Sequence, residues 1–190
     1  MTAAAASAPS HMTEADYLVM ERAASTKHEL WDGEVFAMTG GTLAHAKLIA
    51  RMITQLSNAL GDRDCEVYSS EAKVRIPSSR GFVYPDVSVV CGPVQTYQDS
   101  DDILLNPILV IEVLSPSTER FDRSDKFGGY RSLPSLVDYG LVAQDFAQVE
   151  LYTRQPDGSW TLRIYDDAHP RVVLPSVEVQ VSLTELYRGM

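Results

Sequence analysis

The sequence predicts an α+β fold with α/β character, in which a mixed central sheet is flanked by helices. Three observations carry the prediction. Leu43 to Leu60 places apolar residues at Leu48, Ile49, Met52, Ile53, Leu56 and Leu60, the spacing of an amphipathic helix. From Glu66 the pattern switches to the period of two that strands show. Five of the six residues from Ile108 to Val113 are Ile, Leu or Val, which reads as a strand covered on both faces. Helices and strands in such a succession build a sheet with helices packed on it.

In chain order, Thr13 is a capping residue, and Tyr17, Leu18 and Glu21 follow at helical spacing, so a short helix begins there. Glu29 to Phe36 carries Asp32-Gly33 between alternating segments, the signal of a tight β-hairpin. Gly40-Gly41-Thr42 breaks the pattern before the long helix, which Gly61 closes. Strands are expected at Val67 to Ser70, at Ala72 to Ile76, and at Tyr84 to Val90 after a loop over Ser78 to Gly81. A polar loop, Gln95 to Asp102, leads to the aliphatic strand. After Ser115-Pro116 a helix is expected from about Thr118 to Leu133, with Phe121, Phe127 and Tyr130 as packing residues. Gly128-Gly129 should cost that helix about 1 kcal/mol each relative to Ala. Strands at Tyr139 to Ala143, Val149 to Thr153, Trp160 to Tyr165 and Val172 to Leu174 follow, separated by turns such as Pro156-Asp157-Gly158. Leu183 to Tyr187 adds a last helical turn.

The 190 residues suit one domain with a sizeable core, expected over 13–190. The alanine-rich start, 1–12, lacks the features of a signal peptide and is expected to be a disordered tail. No apolar run approaches the roughly 20 residues of a membrane span, so no membrane partner is expected. Cys65 and Cys91 lie far apart in the chain, and without a secretion signal they read as reduced thiols of a cytoplasmic protein. Lys and Arg number 16 against 26 Asp and Glu, a formal net charge of −10. That argues against tight non-specific binding of nucleic acid, which depends on neutralising phosphates, but leaves room for a small basic site.

Three charged residues stand where charge needs a reason. Asp86 follows Tyr84-Pro85 at the start of an apolar strand, with Pro85 where no ladder donor is required. Glu112 interrupts the aliphatic run, although glutamate is rarely buried without a partner. Lys126 lies in the helical segment beyond it. Two neighbouring carboxylates repel unless a cation lies between them. Mg²⁺ suits such a pair, because it takes oxygen ligands and keeps several waters, and Mn²⁺ can substitute. Such an ion acidifies a bound water and offsets charge on a phosphoryl oxygen, while an ammonium group stabilises the anionic transition state.

The ordered set Pro85-Asp86, then Glu112 in Val110-Ile111-Glu112-Val113-Leu114-Ser115-Pro116-Ser117-Thr118, then Asp122, Lys126 and Tyr130, resembles the Uma-two family of the PD-(D/E)XK nuclease superfamily. The likeness covers nearly the whole chain from about Thr13. Lys27 to Val35, with Glu29, is similar to the family's opening hairpin, and His45 to the histidine at its first core helix. The resemblance implies a restriction-endonuclease-like core with an added N-terminal hairpin and C-terminal strands. It implies an endonuclease hydrolysing phosphodiester bonds of DNA, with Asp86, Glu112 and the Val113 carbonyl as metal ligands and Lys126 as the catalytic lysine. The superfamily usually places that lysine two residues after the acid, where this chain has Leu114. His45, Glu71, Glu29 and Asp122 are auxiliary candidates, and a homodimer would suit cutting of both strands. Glu71-Ala72-Lys73 is literally Glu-X-Lys, but it precedes Asp86, the wrong order for the superfamily.

Each residue also has a plainer reading. Asp86 can cap a turn, Glu112 can pair with an arginine, and Lys126 can form a solvated helical pair with Asp122. His45 can cap or pack, and the local basic group Arg120, Arg123, Lys126 and Arg131 can balance neighbouring acids. The alternative function is a catalytically inactive nuclease fold serving as an interaction or nucleic-acid-binding module. A serine hydrolase is the most distant reading, since Ser115-Pro116-Ser117 lacks the glycine-flanked elbow.

Overall fold

A computed structural model describes residues 11–38 and 40–190. Helix α1, Glu14–Ala23, starts at Thr13, whose hydroxyl accepts the Asp16 backbone N–H at 3.1 Å. Strands β1, His28–Trp31, and β2, Glu34–Ala37, form the expected hairpin. Its two central residues, Asp32 (φ 48°) and Gly33 (φ 82°), both take left-handed backbone, as the tightest right-twisting hairpin turn requires. Helix α2, Leu43–Leu60, runs between a Thr42 cap and Gly61 as anticipated.

The strand region is more divided than the sequence suggests. After β3, Cys65–Ser69, and β4, Lys73–Ile76, comes β5, Gly81–Val83, which begins at the last residue of the expected loop. Tyr84, Pro85 and Asp86 then form a connection, and β6 is Val87–Cys91. The apolar run Phe82 to Val90 therefore serves two different sheets, a division that composition alone does not reveal. Strands β7, Ile103–Leu104, β8, Leu109–Val113, β9, Asp138–Val142, β10, Val149–Arg154, β11, Trp160–Tyr165, and β12, Arg171–Leu174, follow. No separate signal marks β13, Val179–Ser182, which pairs with β12 before the last turn, Leu183–Leu186.

Among the described residues one sheet has the order β2-β1-β5-β4-β7, a second the order β11-β10-β9-β8-β6-β3, and β12 and β13 form a third of two strands. In the second, β8 lies antiparallel to β6 and parallel to β9, so the sheet is mixed. The pleat of β8 divides its side chains. Leu109, Ile111 and Val113 join the core under α2 with Leu48, Met52 and Leu56. Val110 and Leu114 join the opposite core with Val74, Ile76, Tyr130 and Tyr139. Glu112 shares that second face, and the aliphatic residues on both faces are why its strand reads as covered on both sides.

The helix after Ser115-Pro116 spans 119–130 as three continuous pieces: Glu119–Phe121, a π-helical turn at Asp122–Lys126, and Phe127–Tyr130.

One expectation is overturned. Cys65 and Cys91 are not separate thiols but a disulfide, because antiparallel pairing of β3 with β6 sets them directly opposite each other despite 26 residues of separation. His11 and Met12, expected in the tail, bind the hairpin turn: the His11 imidazole lies 2.8 Å from the Asp32 carbonyl, and the Met12 N–H donates to the Gly33 carbonyl at 2.8 Å. The remainder of the expected tail, 1–10, lies outside the described residues. No helix is long and apolar enough to cross a membrane among the described residues.

Candidate active site

The connection Tyr84-Pro85-Asp86 is fastened at both ends to neighbouring acids and strands. The Tyr84 N–H donates to Glu29 Oε1 at 2.9 Å, and the Asp86 N–H donates to Glu112 Oε2 at 3.2 Å. In return the Val113 N–H donates to Asp86 Oδ2 at 2.7 Å. Asp86 and Glu112 thus lie side by side at the junction of β6 and β8.

Helix 119–130 delivers the cation. Lys126 Nζ stands 3.0 Å from Glu29 Oε1, 3.2 Å from Glu112 Oε1 and 3.5 Å from Asp122 Oδ1, with its side chain only 6% exposed. The solvated Asp122–Lys126 pair is therefore not what forms: both partners face inward, and the wider π-turn keeps residues four apart close to one line on the helix. Tyr130, one turn further on, donates from its hydroxyl to Glu112 Oε1 at 3.1 Å, and the Tyr139 hydroxyl donates to the Asp122 carbonyl at 2.9 Å. His45, in the first turn of α2, sets Nε2 3.0 Å from the Val113 carbonyl and 3.4 Å from Asp86 Oδ2. A carbonyl only accepts, so Nε2 carries the proton.

The result is four carboxylates, Glu29, Asp86, Glu112 and Asp122, around one ammonium and one imidazole. Burial pushes Glu112 well above the usual carboxylate range against the opposing pull of Lys126, with Asp122, Asp86 and Glu29 adding to the rise. Asp122 is raised for the same first reason, and its Oδ1 is buried without a hydrogen-bond partner. Burial would lower Lys126, but Glu112, Glu29 and Asp122 more than reverse this and leave it well above its ordinary value. His45 is raised mainly by its hydrogen bond to Asp86. An excess of buried negative charge requires either protons or a further cation.

The donors near Asp86 suit a hard cation: an Asp86 carboxylate oxygen, a Glu112 carboxylate oxygen and the Val113 carbonyl. Among the described residues no group of three or more His, Cys, Asp or Glu side chains is arranged to hold a metal ion. His45 already directs its N–H at two of these oxygens, so a cation there competes with that proton.

A family model described as "Putative restriction endonuclease", named Uma2, matches residues 14–185. The chain belongs to the Uma2 family. It is 38% identical over 175 residues to an uncharacterized protein of Synechocystis sp., covering 92% of this chain and 90% of that protein. A second uncharacterized Synechocystis protein is 35% identical over 151 residues, covering 80% and 85%. The solved structure of a "putative nuclease belonging to DUF820" from Anabaena variabilis superposes with a TM-score of 0.75 at 16% identity, covering 93% of this chain and 97% of that one. The α+β, restriction-endonuclease-like fold implied by the resemblance is thus the fold of this Uma2 chain, and a nuclease-like function goes with the family.

Of the sequence candidates, Glu29, His45, Asp86, Glu112, Val113, Asp122 and Lys126 meet in one cluster. Glu71 does not join them. Its side chain is 81% exposed and pairs with Lys27 at 2.5 Å, because the turn before β4 faces solvent. Nor does the local basic group act together: Arg123 is held by Glu119 at 2.8 Å and Glu150 at 2.5 Å, while Lys126 turns inward. Tyr139 and the Tyr84 backbone carried no sequence signal for the site, whereas Tyr130 was legible as the residue one helical turn beyond Lys126.

Proposed function

We propose that this Uma2 chain is a Mg²⁺-dependent endonuclease that hydrolyses phosphodiester bonds of DNA. The observation that carries the reading is the meeting of Asp86 and Glu112 at one strand junction with Lys126 Nζ 3.2 Å from Glu112 Oε1. Asp86, Glu112 and the Val113 carbonyl would hold Mg²⁺, or Mn²⁺ in its place. When bound, such an ion offsets charge on a phosphoryl oxygen and makes water more acidic. Lys126 would orient the attacking water and stabilise the anionic transition state. Glu29 and Asp122 fix the ammonium and Tyr130 fixes Glu112, while the His45 N–H would yield the Asp86 and Val113 oxygens to the ion. A cytoplasmic setting belongs to the same reading, and a reducing cytoplasm would act against the Cys65–Cys91 bond. A homodimer would be needed only to cut both strands of a duplex.

One observation favours a second reading, a catalytically inactive nuclease fold that serves as an interaction or nucleic-acid-binding module. Lys126 is already satisfied by three carboxylates, as in a purely structural ion-pair network. The two readings separate on purified protein incubated with labelled DNA. The nuclease reading expects cleavage with Mg²⁺ or Mn²⁺, none with chelator, and none from Glu112→Ala at unchanged circular dichroism. It also expects calorimetric Mn²⁺ binding that Asp86→Ala removes. Cleavage that survives chelation or the Glu112→Ala change would sink it, and absence of both cleavage and Mn²⁺ binding would leave the second reading.

A further inference from the structure

The β1–β2 hairpin brings more than Glu29 to the site. In its register Glu29 pairs with Phe36, and Trp31 lies two residues beyond Glu29, so the three side chains leave the ribbon on one face. Glu29 reaches Lys126, which makes that face the one turned toward the site. There Trp31 and Phe36 meet Phe121 of helix 119–130. The Trp31 and Phe121 rings stand edge to face with centroids 5.1 Å apart, and the Phe36 ring lies 6.4 Å from that of Phe121. Lys126 Nζ is 5.9 Å from the Phe121 centroid. The indole of Trp31 is seated so closely over Gly129 that a Cβ there would lie 2.3 Å from it. Packing accounts for Trp31 and Phe121. It does not account for Phe36, which is 47% exposed on the outermost strand of its sheet.

Resting on the nuclease reading of the same site, we propose that the Trp31–Phe121–Phe36 wall is a stacking subsite for an unpaired nucleobase, so that the DNA taken is single-stranded or locally unpaired at the cut. Phe121 stands 5.9 Å from the ammonium of the proposed site, so a wall built on it lies within reach of the nucleotide adjoining the scissile phosphate. A base presents its π-face to a side chain only when it is not stacked in a duplex. Stacking needs no phosphate neutralisation, so it suits a chain of net charge −10 that gains little from electrostatic attachment to DNA. Apart from the Trp31 indole N–H, the wall offers π-faces rather than hydrogen-bonding groups, so little recognition of base identity is expected.

The test is fluorescence anisotropy of the full chain in chelator, with a labelled oligothymidylate and a labelled duplex of the same length. The parent should bind the oligothymidylate more tightly than the duplex. Phe36→Ala and Phe36→Leu should each weaken oligothymidylate binding about tenfold, with little change for the duplex and an unchanged melting temperature. Phe36→Trp should bind as the parent does. The leucine variant keeps apolar bulk and loses the π-face, so leucine binding at the parent's strength overturns the proposal. So does a parent that prefers the duplex, or a Phe36→Ala change that alters only sedimentation, which would make Phe36 a contact between copies. The measurement needs no cleavage. Binding as expected in a chain that cuts no DNA with either ion defeats the nuclease reading alone, whereas duplex cutting untouched by the Phe36 variants defeats the subsite alone.

Discussion

Gly128 and Gly129 are adjacent in the same helix and do opposite things. A Cβ at Gly128 would meet nothing within 4 Å, whereas one at Gly129 would lie 2.3 Å from Trp31 Cη2 and 2.8 Å from Ile76 Cγ2. Ala at either position would gain up to about 1 kcal/mol of helix propensity. At Gly129 overpacking outweighs that gain, at roughly 1–3 kcal/mol. Urea denaturation should therefore show Gly128→Ala more stable than the parent and Gly129→Ala less stable. Equal stabilisation of both would mean that Trp31 is not seated where the structure puts it. The pair of glycines that counts against a helix in the sequence is thus explained at Gly129 by its neighbour's indole, and at Gly128 by nothing in the structure.

Helix α1 is fixed to the hairpin by Glu21, which accepts the His28 backbone N–H at 2.9 Å, and by Tyr17. The Tyr17 hydroxyl donates to the His28 carbonyl at 2.6 Å, and its ring stacks on Phe82 with centroids 5.4 Å apart. Burial, with Tyr84 and Glu21 adding to it, holds the Tyr17 phenol above its ordinary value. The folded state thus keeps this proton where the unfolded chain gives it up. The stability it contributes is fully present below about pH 10, the ordinary tyrosine value, and is lost as pH rises beyond it. Tyr17→Phe should cost about 1 kcal/mol at neutral pH, one hydrogen bond with the stacking kept. It should also flatten the fall in the urea midpoint between neutral and strongly alkaline buffer. A variant whose alkaline loss is as steep as the parent's would place the titration elsewhere.

Across the whole molecule, the Cys65–Cys91 bond joins edge strand β3 to β6, the strand that begins just after Asp86. Closing a loop of 26 residues contributes about 3.5 kcal/mol by restricting the unfolded chain. Reductant, or the double change Cys65→Ser with Cys91→Ser, should lower unfolding stability by roughly that amount in urea titrations. An unchanged midpoint would show that the bridge does not constrain the unfolded chain. By itself the sequence determined the helices, most strands, the hairpin turn, and the acids and lysine that stand where charge is costly. Those signals are local, written in periodicity, caps and turn residues over a few neighbours. Only the tertiary structure decided that Glu29 joins Lys126 while Glu71 does not, that one apolar run is shared between two sheets, that the cysteines meet, and that Phe36 faces the site. Each of these depends on strand register and on which face of the pleat a residue occupies, and register is set by partners far away in the chain.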